Sequence, residues 1–319
     1  MTNAMSTLTD PRDPDCRPAA SDPAVFGGVE AGGTKWVCAK GDGPHDLNEV
    51  KVIPTTTPAE TLGRVIEFFK RDGVRVAALG VGSFGPVDLR VGSETFGWIM
   101  KTAKPGWSNT DVVGALTAEL EVPVVFDTDV NAAALAEQRW GAAFGLSDFI
   151  YMTVGTGIGA GIVLNGRPVH GLVHPEFGHM LIPHDHSDDP FPGSCPFHRD
   201  CLEGMASGEA LLARYGKPAE ELDDRAAWAL EAHYLAIGIT NAFLTFSPKR
   251  VVLGGGVAKK RGLLPIVRAQ VKELIRGYIE LAGEAGKIDQ FIVPPALGDR
   301  AGVLGAIHLA MAAHPELTK

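Results

Sequence analysis

The sequence has little positive charge and no long apolar run. Its 29 Lys and Arg residues are outnumbered by 38 Asp and Glu residues, which gives a formal net charge of -9 at pH 7. A nucleic-acid surface needs clustered positive charge to displace counterions, so this balance argues against a nucleic-acid partner. A membrane-spanning helix needs about 20 consecutive apolar residues, and the sequence contains no run of that length. We therefore expect a globular protein that works away from nucleic acid and membrane.

Cysteine is also scarce. Only four Cys residues occur among 319 residues, and two of them stand close together in a metal-like motif. Such usage fits the reducing cytoplasm better than a disulfide framework. The first 24 residues lack the basic-then-apolar order of a secretory signal and are rich in Pro, Asp, Ser and Thr. They predict a disordered N-terminal tail at 1–24 of a cytoplasmic protein.

Strand and helix patterns alternate from Val25 onward, which predicts an α/β protein, and the length predicts two domains. The stretches 25–43 and 149–165 share one pattern: apolar strands flank a turn rich in Gly and Thr. Backbone N–H groups at such a turn can form an anion site. We therefore expect a duplicated domain with one phosphate-binding turn from each half. The turn residues are Gly32, Gly33, Thr34 and Lys35 in the first stretch, and Thr156 and Gly157 in the second.

Two acidic residues follow the short apolar strand 122–126. Asp127 and Asp129 stand where this strand ends and the helix 132–140 is about to begin. Open α/β sheets bind their ligands at the carboxyl ends of strands, so both residues are candidate general bases. Asp129 is the better candidate because it lies nearer the helix start. The alternative is that Asp129 only caps the helix.

Glycine and tryptophan mark three further loops. Gly85 lies in the turn 82–88 after a strand predicted at 76–81, and three glycines at 254–256 end another buried strand and allow close approach of a flat ligand. Trp107 ends a turn at 104–107 that is predicted to be exposed. Its indole either provides hydrophobic cover or shapes a sugar pocket. A helix is expected to run from caps at Ser108 and Asn109 to residue 120.

A long loop without apolar periodicity carries a metal-like motif. Cys195, His198 and Cys201 have the spacing C-x-x-H-x-x-C, and His179 comes shortly before them, after Glu176. Two thiolates and two imidazoles form a suitable tetrahedral set for Zn²⁺, and a structural metal would order such a loop. The histidines at 184 and 186 are rival candidates for the first ligand. The alternative is two free cysteines among surface histidines.

Six pieces of the chain, in this order, resemble the ROK family of sugar kinases, most closely its bacterial fructokinase branch: VEAGGTK, DTDVN, TVGTGIGAG, HPEFGH, CPFHRDC and LGGGVA. The resemblance runs from Val25 to the end. It implies a two-domain, actin/hexokinase-like fold (a duplicated ribonuclease H-like fold) with an interdomain cleft and a zinc-stapled loop. It further implies a small domain at 25–128 with the C-terminal helix 299–316, and a large domain at 129–298 that carries the zinc loop.

The resemblance also implies a role for each motif. Asp129 is the expected base, and Mg²⁺ is expected with ATP. The residues expected around the sugar are Gly85, Trp107, Thr128, Asp129, Glu176, His179 and Glu203. Those expected to bind ATP are Gly32, Gly33, Thr34, Lys35, Thr156, Gly157, Gly254, Gly255 and Gly256. The expected ligands of a structural Zn²⁺ are His179, Cys195, His198 and Cys201.

Three departures from the glucose-kinase pattern point to the fructokinase-like branch. They are Glu30 where those kinases usually have Asp, Thr128 where they have Asn, and the C-x-x-H-x-x-C loop itself. We therefore expect a cytoplasmic, homodimeric kinase that phosphorylates a primary hydroxyl of fructose with ATP. A kinase for mannose, glucose or another hexose is the alternative within the family. A sugar-sensing repressor of the same family needs an N-terminal helix-turn-helix, for which the tail is too short and too rich in Pro.

Overall fold

The computed structural model describes residues 25–279 and 287–317, so the predicted tail at 1–24 lies outside the described residues. The described strands are β1 (Phe26–Ala31), β2 (Lys35–Gly43), β3 (Asp46–Pro54), β4 (Leu79–Ser83), β5 (Trp98–Ile99), β6 (Thr110–Asp111), β7 (Val124–Thr128), β8 (Phe149–Val154), β9 (Ile158–Leu164), β10 (Arg167–Pro168), β11 (Val251–Gly254) and β12 (Ile292–Val293). The described helices are α1 (Pro58–Lys70), α2 (Val112–Leu120), α3 (Asp129–Trp140), α4 (Leu202–Ala206), α5 (Gly208–Tyr215), α6 (Arg225–Phe246), α7 (Leu263–Ile275), α8 (Ile288–Phe291) and α9 (Ala301–Ala313).

Two five-stranded mixed sheets have the same construction. The first has the order β3-β2-β1-β4-β7, and the second has the order β10-β9-β8-β11-β12. In each sheet the first three strands pair antiparallel and the last two join them in parallel. The similarity between the two Gly- and Thr-rich hairpins therefore reflects two sheets of one topology. The α/β prediction is confirmed.

Helices α3 and α9 lie between the two sheets. Val303 and Ile307 of α9 pack on Phe26 of β1, while the alanines of α3 pack with β8 and β9. The two helices cross closely, since a Cβ on Gly305 would stand 1.8 Å from the carbonyl oxygen of Ala132. Only a residue without a side chain fits such a contact. The start of α3, and with it Asp129, is thereby held between the sheets.

The outer faces of the sheets are covered by the remaining long helices. Leu62, Val65 and Phe69 of α1 and Leu116 of α2 are buried in the core of the first sheet. The outer face of the second sheet is covered by α6 and α7, whose buried side chains pack with those of β8, β9 and β11. Each sheet is thus covered on both faces, as is usual for α/β proteins. Among the described residues, no helix combines the length and apolar character needed to cross a membrane.

Two local predictions need correction. The helix expected after Ser108 begins later, at Val112, because Asn109 has a left-handed backbone (φ 59°) and Asp111 provides the cap by accepting a hydrogen bond from the Gly114 N–H. The strand expected at 76–81 is shifted to Leu79–Ser83 because it pairs in register with β1 and β7.

Candidate active site

Asp129 is the first residue of α3 and does not cap the helix. Thr128 is the cap: its hydroxyl oxygen accepts a hydrogen bond from the Asn131 N–H at 3.1 Å. The Asp129 Oδ1 accepts the neighbouring Val130 N–H at 2.8 Å, and the carboxyl group lines a cavity between the sheets. Burial raises the pKa of Asp129 to about 6. The carboxyl group is therefore placed to exchange a proton near neutral pH.

The cavity next to Asp129 has a volume of about 250 Å³ and collects charged groups from both sheets. Glu30 and Lys35 reach it from the first hairpin, and Lys259 and Asp299 from the second half of the chain. Burial, together with the nearby Asp129 carboxylate, raises the pKa of Glu30 to about 7. The Glu30 Oε2 is buried, and no described residue forms a hydrogen bond with it. An oxygen of this kind suits a cation or a proton.

A larger cavity of about 730 Å³ adjoins the first, because Lys259 lines both. Thr156, Gly256 and the start of α5 form its walls, and Trp228 lies at its apolar end. The predicted nucleotide residues therefore fall in two connected spaces. Lys35, Gly254 and Gly255 line the small cavity, and Thr156 and Gly256 line the large one.

The remaining predicted nucleotide residues lie at the hairpin tips. Gly32, Gly33 and Thr34 form the turn between β1 and β2, which Thr55 stabilises by donating its hydroxyl to the Gly32 carbonyl at 2.7 Å. Gly157 lies in the equivalent turn between β8 and β9, where a Cβ would stand 2.6 Å from the Glu203 Oε2. A side chain at this position would displace the Glu203 carboxylate.

Glu176 and Glu203 form the acidic side of the site. The Glu203 Oε2 accepts the Ile158 N–H at 2.9 Å, and its Oε1 lies 4.0 Å from the His179 Nδ1. Burial raises the pKa of Glu176 to about 7, and the carboxylates of Glu203 and Asp129 add to the effect. The three carboxyl groups are therefore close enough to influence one another. Such a group can bind several hydroxyls of a polyol.

Two histidines that the sequence analysis did not identify complete this side. The His170 Nε2 lies 3.1 Å from the Asp127 Oδ2, and this hydrogen bond raises the pKa of His170. The other oxygen of Asp127 accepts the Asn131 side-chain amide at 2.7 Å. Both carboxylate oxygens of Asp127, the alternative base, thus already have hydrogen-bonding partners in neighbouring side chains. No pattern in the sequence marks His170, because its partner lies 43 positions away.

His174 connects the loop before Glu176 to the turn that contains Gly85. Its Nε2 accepts the Val87 N–H at 3.0 Å, and its Nδ1 lies 3.6 Å from the Glu176 Oε1. A Cβ on Gly85 would lie 3.1 Å from this imidazole. Gly85 therefore allows the histidine to pack against the backbone. Burial lowers the pKa of His174, which keeps the ring neutral and able to accept a hydrogen bond.

Trp107 lies in the core and away from the cavities. It is fully buried, its indole N–H donates to the Thr56 carbonyl at 2.8 Å, and its ring packs 5.4 Å from Trp36 and 5.6 Å from Phe84. The turn itself is exposed at Pro105 and Gly106, but two aromatic rings cover the indole, so Trp107 provides hydrophobic cover, the first of its two predicted roles. Thr128 is also buried, with its hydroxyl used in the helix cap.

The Cys/His residues of the long loop meet in space. The His179 Nδ1 lies 3.6 Å from the Cys195 Sγ and 3.7 Å from the Cys201 Sγ, and the His198 Nδ1 lies 3.8 Å from the Cys195 Sγ. Sulfur and nitrogen ligands of one tetrahedral Zn²⁺ stand about 3.6 Å apart. This group, which we call the Cys/His cluster, therefore has the dimensions of a metal site.

The rival ligands at 184 and 186 do not belong to the Cys/His cluster. They group instead with Asp200. His179 therefore matches the predicted first position, because its ring nitrogen is the one that faces both thiols.

Comparison with known proteins identifies the family. Chains named fructokinase in Zymomonas mobilis and putative fructokinase in Bacillus subtilis are 44% and 43% identical, over 92% and 90% of this chain and 98% and 95% of theirs. The ROK hexokinase of Thermus thermophilus has a similar structure, with a TM-score of 0.74 and 31% identity over 92% of this chain and 99% of its own. The family model described as "ROK family" matches residues 26–313. The chain belongs to the ROK family, as its motifs predict.

Proposed function

We propose that this protein is an ATP-dependent fructokinase, which transfers the γ-phosphate to a primary hydroxyl of fructose and forms fructose 6-phosphate. The observation that carries the proposal is the position of Asp129, which lines the smaller of the two adjoining cavities and lies close enough to Glu176 to affect its pKa. Relatives named fructokinase are 38–44% identical to this chain, whereas those named glucokinase are 28% and 26% identical. This difference supports fructose over glucose.

The nucleotide would occupy the two connected cavities. The 730 Å³ cavity has room for an adenosine group, with Trp228 and Leu212 as apolar walls and Lys260 at the rim. The phosphates would then extend past Lys259 into the smaller cavity, toward the turns at 32–34 and 155–157. Backbone N–H groups at such turns bind anions. This arrangement directs the last phosphate toward Asp129.

Phosphoryl transfer needs positioned phosphates and an oriented nucleophile more than covalent chemistry from the protein. Asp129 would accept the proton of the primary hydroxyl as the oxygen attacks, which requires an approach of about 3 Å. Its pKa of about 6 leaves the carboxylate ionised at pH 7 but still basic enough to take a proton. Glu176 and Glu203 would hold the other hydroxyls and fix the sugar's orientation.

Mg²⁺ bound with ATP would spread the charge of the phosphates. Glu30 fits this ion, because the residue lines the smaller cavity and its buried Oε2 has no hydrogen-bond partner among the described residues. Asp129 lies in the same cavity. Lys35 and Lys259 also line this cavity and supply positive charge.

We propose that the Cys/His cluster holds one structural Zn²⁺. Four protein ligands leave no open position for water, so the ion would stabilise the loop and would not take part in the reaction. The loop positions His179 and leads directly into α4, which carries Glu203. Zinc would therefore act on sugar binding through the position of these two side chains.

Two larger-scale features belong to the same proposal. We assign residues 25–128, with the C-terminal segment 299–316 that contains α9, to one domain and residues 129–298 to the other. The two domains would close on the sugar and exclude water. We also expect a cytoplasmic homodimer. Exposed apolar side chains beside the Cys/His cluster, Leu181 (73% exposed) and Phe197 (56% exposed), supply a surface for self-association. Sedimentation analysis of the purified protein tests the dimer.

The function is tested by ADP release with Mg-ATP over fructose, mannose, glucose and N-acetylglucosamine. We expect fructose to give the largest kcat/KM. Coupling the product to phosphoglucose isomerase and glucose-6-phosphate dehydrogenase detects the 6-phosphate and not the 1-phosphate. A larger kcat/KM for any other sugar would overturn the assignment, and one for glucose or mannose would favour the alternative hexose kinase.

A further inference from the structure

His184, His186 and Asp200 form a second group of potential metal ligands, separate from the Cys/His cluster. The His184 Nδ1 lies 3.1 Å from the Asp200 Oδ2, and the His186 Nε2 lies 3.7 Å from the same oxygen. The centroids of the two imidazole rings lie 4.0 Å apart. Three ligand-type atoms from two parts of the loop thus converge on one point.

The hydrogen bonds of His184 leave one nitrogen directed at this point. Its Nε2 lies 2.8 Å from the backbone carbonyl oxygen of Asp189, which can only accept, so this nitrogen carries a hydrogen. In the neutral ring the Nδ1 then has a lone pair, and that lone pair faces a carboxylate oxygen. Either a proton, which makes the ring an imidazolium, or a metal ion would have to lie between these two atoms. A backbone carbonyl on the far nitrogen is also the common arrangement for a metal-bound histidine.

The distances favour a metal ion over a single shared proton. Nitrogen and oxygen ligands about 2.1 Å from a tetrahedral ion stand about 3.4 Å apart, and the observed 3.1 Å and 3.7 Å lie on either side of that value. A proton between His184 and Asp200 would explain one of these approaches only. A metal ion bound by all three side chains would explain both approaches.

We propose that His184, His186 and Asp200 bind a second divalent metal ion of the zinc type. Imidazole and carboxylate ligands suit such ions, and the absence of sulfur distinguishes this set from the Cys/His cluster. Three protein ligands leave at least one position for water. His186 is 65% exposed, so the ion exchanges with solvent more easily than an ion held by four ligands.

The surrounding contacts show what this ion would stabilise. The segment that carries both histidines is already anchored through Asp189, whose carboxylate accepts hydrogen bonds from Arg214 of α5 and Tyr234 of α6. Asp200 comes directly before Cys201, a member of the Cys/His cluster. The second ion would therefore fasten the first half of the loop to the turn that holds the Cys/His cluster.

The first test is metal stoichiometry. The full-length protein is dialysed to equilibrium against buffer with a low concentration of Zn²⁺, and zinc per chain is measured as the excess over the dialysis buffer. We expect two ions in the wild type, one in His186→Ala and one in Asp200→Asn. His186 is exposed, so its removal leaves the core intact. The matched control is His45→Ala, which removes an exposed histidine outside both groups and should retain two ions. One ion in the wild type, or two in His186→Ala, would overturn the proposal.

Titration of metal-free protein with Co²⁺ separates the two groups spectroscopically. Binding at the Cys/His cluster gives a thiolate-to-cobalt charge-transfer band, whereas binding at His184, His186 and Asp200 gives only weak d–d bands. The tetrahedral Cys/His site also gives d–d bands, so we expect His186→Ala to keep the thiolate band and to lose only the d–d absorption that the second equivalent of Co²⁺ adds in the wild type. A variant with an unchanged spectrum would contradict the second site. Loss of the thiolate band alone would instead contradict the Cys/His cluster, so the two proposals fail separately.

Discussion

Replacement of Asp129 by asparagine separates catalysis from folding at one position. The change keeps the size and the hydrogen bond to the Val130 N–H but removes the ability to accept a proton. Thr128 provides the helix cap, so the cap of α3 stays intact. The variant therefore loses one function of the residue and little else.

The expected size of the effect follows from the role of a general base. Such groups contribute roughly 10²- to 10⁴-fold to the rate. This range corresponds to about 2.7 to 5.4 kcal/mol of activation free energy. The effect on stability is much smaller, because a carboxylate in the first turn of a helix contributes about 0.3–1 kcal/mol. Burial, which raises the pKa of Asp129 to about 6, opposes even this contribution.

The assay measures kcat for fructose with saturating Mg-ATP, beside a thermal melt and titration with fructose and ADP. We expect kcat to fall by about 100-fold or more, with near wild-type melting and binding. Asp148→Asn is the matched control, because it makes the same chemical change just before β8. The Asp148 side chain likewise accepts a backbone hydrogen bond, from the Asn165 N–H. It should retain full turnover. Near wild-type turnover of Asp129→Asn would refute its role and redirect attention to Asp127.

Removing one cysteine, lowering the pH and truncating a buried indole test three other features. Cys195→Ser should lose one zinc ion per chain and raise KM for fructose, because the loop carries His179 and Glu203; unchanged zinc content would contradict the ligand set. Only ionised Asp129, with its pKa of about 6, accepts a proton, so kcat/KM should fall as the pH drops through 6; a flat profile there would count against it. Trp107→Ala should lower the free energy of unfolding in urea by about 3–5 kcal/mol. Trp107→Phe should cost less, because it keeps most of the packing and loses mainly the hydrogen bond to Thr56. Equal stability of the two variants would contradict this account.

The parts of the fold with strong apolar patterns could be predicted from the sequence. The C-terminal helix expected at 299–316 is present as the slightly shorter α9 (Ala301–Ala313), and the strand leading into Asp129 is β7. The similarity between the two hairpins predicted a duplication, and the strand orders of the two sheets are equivalent. These features depend on local periodicity and on turn residues, which a short window of sequence contains.

The features that could not be predicted depend on partners far along the chain. His174 accepts its hydrogen bond from a backbone N–H 87 positions away, and no pattern in its own loop indicates this. Trp107 follows a polar turn, so local sequence suggests exposure, yet Trp36 and Phe84 bury it. Similarly, spacing alone did not distinguish His179 from the two later histidines as the ligand beside the cysteines. Only the folded loop separates the two groups.

The position of α9 has a consequence for how the chain is made. One face of the earliest strand, β1, is covered by Val303 and Ile307, which are among the last residues to be synthesised. Until they emerge, Phe26 and Ala78 present an apolar surface to the cell, and contacts of such long sequence separation form slowly. A newly made chain therefore passes through a stage that is open to aggregation and to chaperone binding. Premature termination before Ala301 would harm the first half of the protein more than the half in which it occurs.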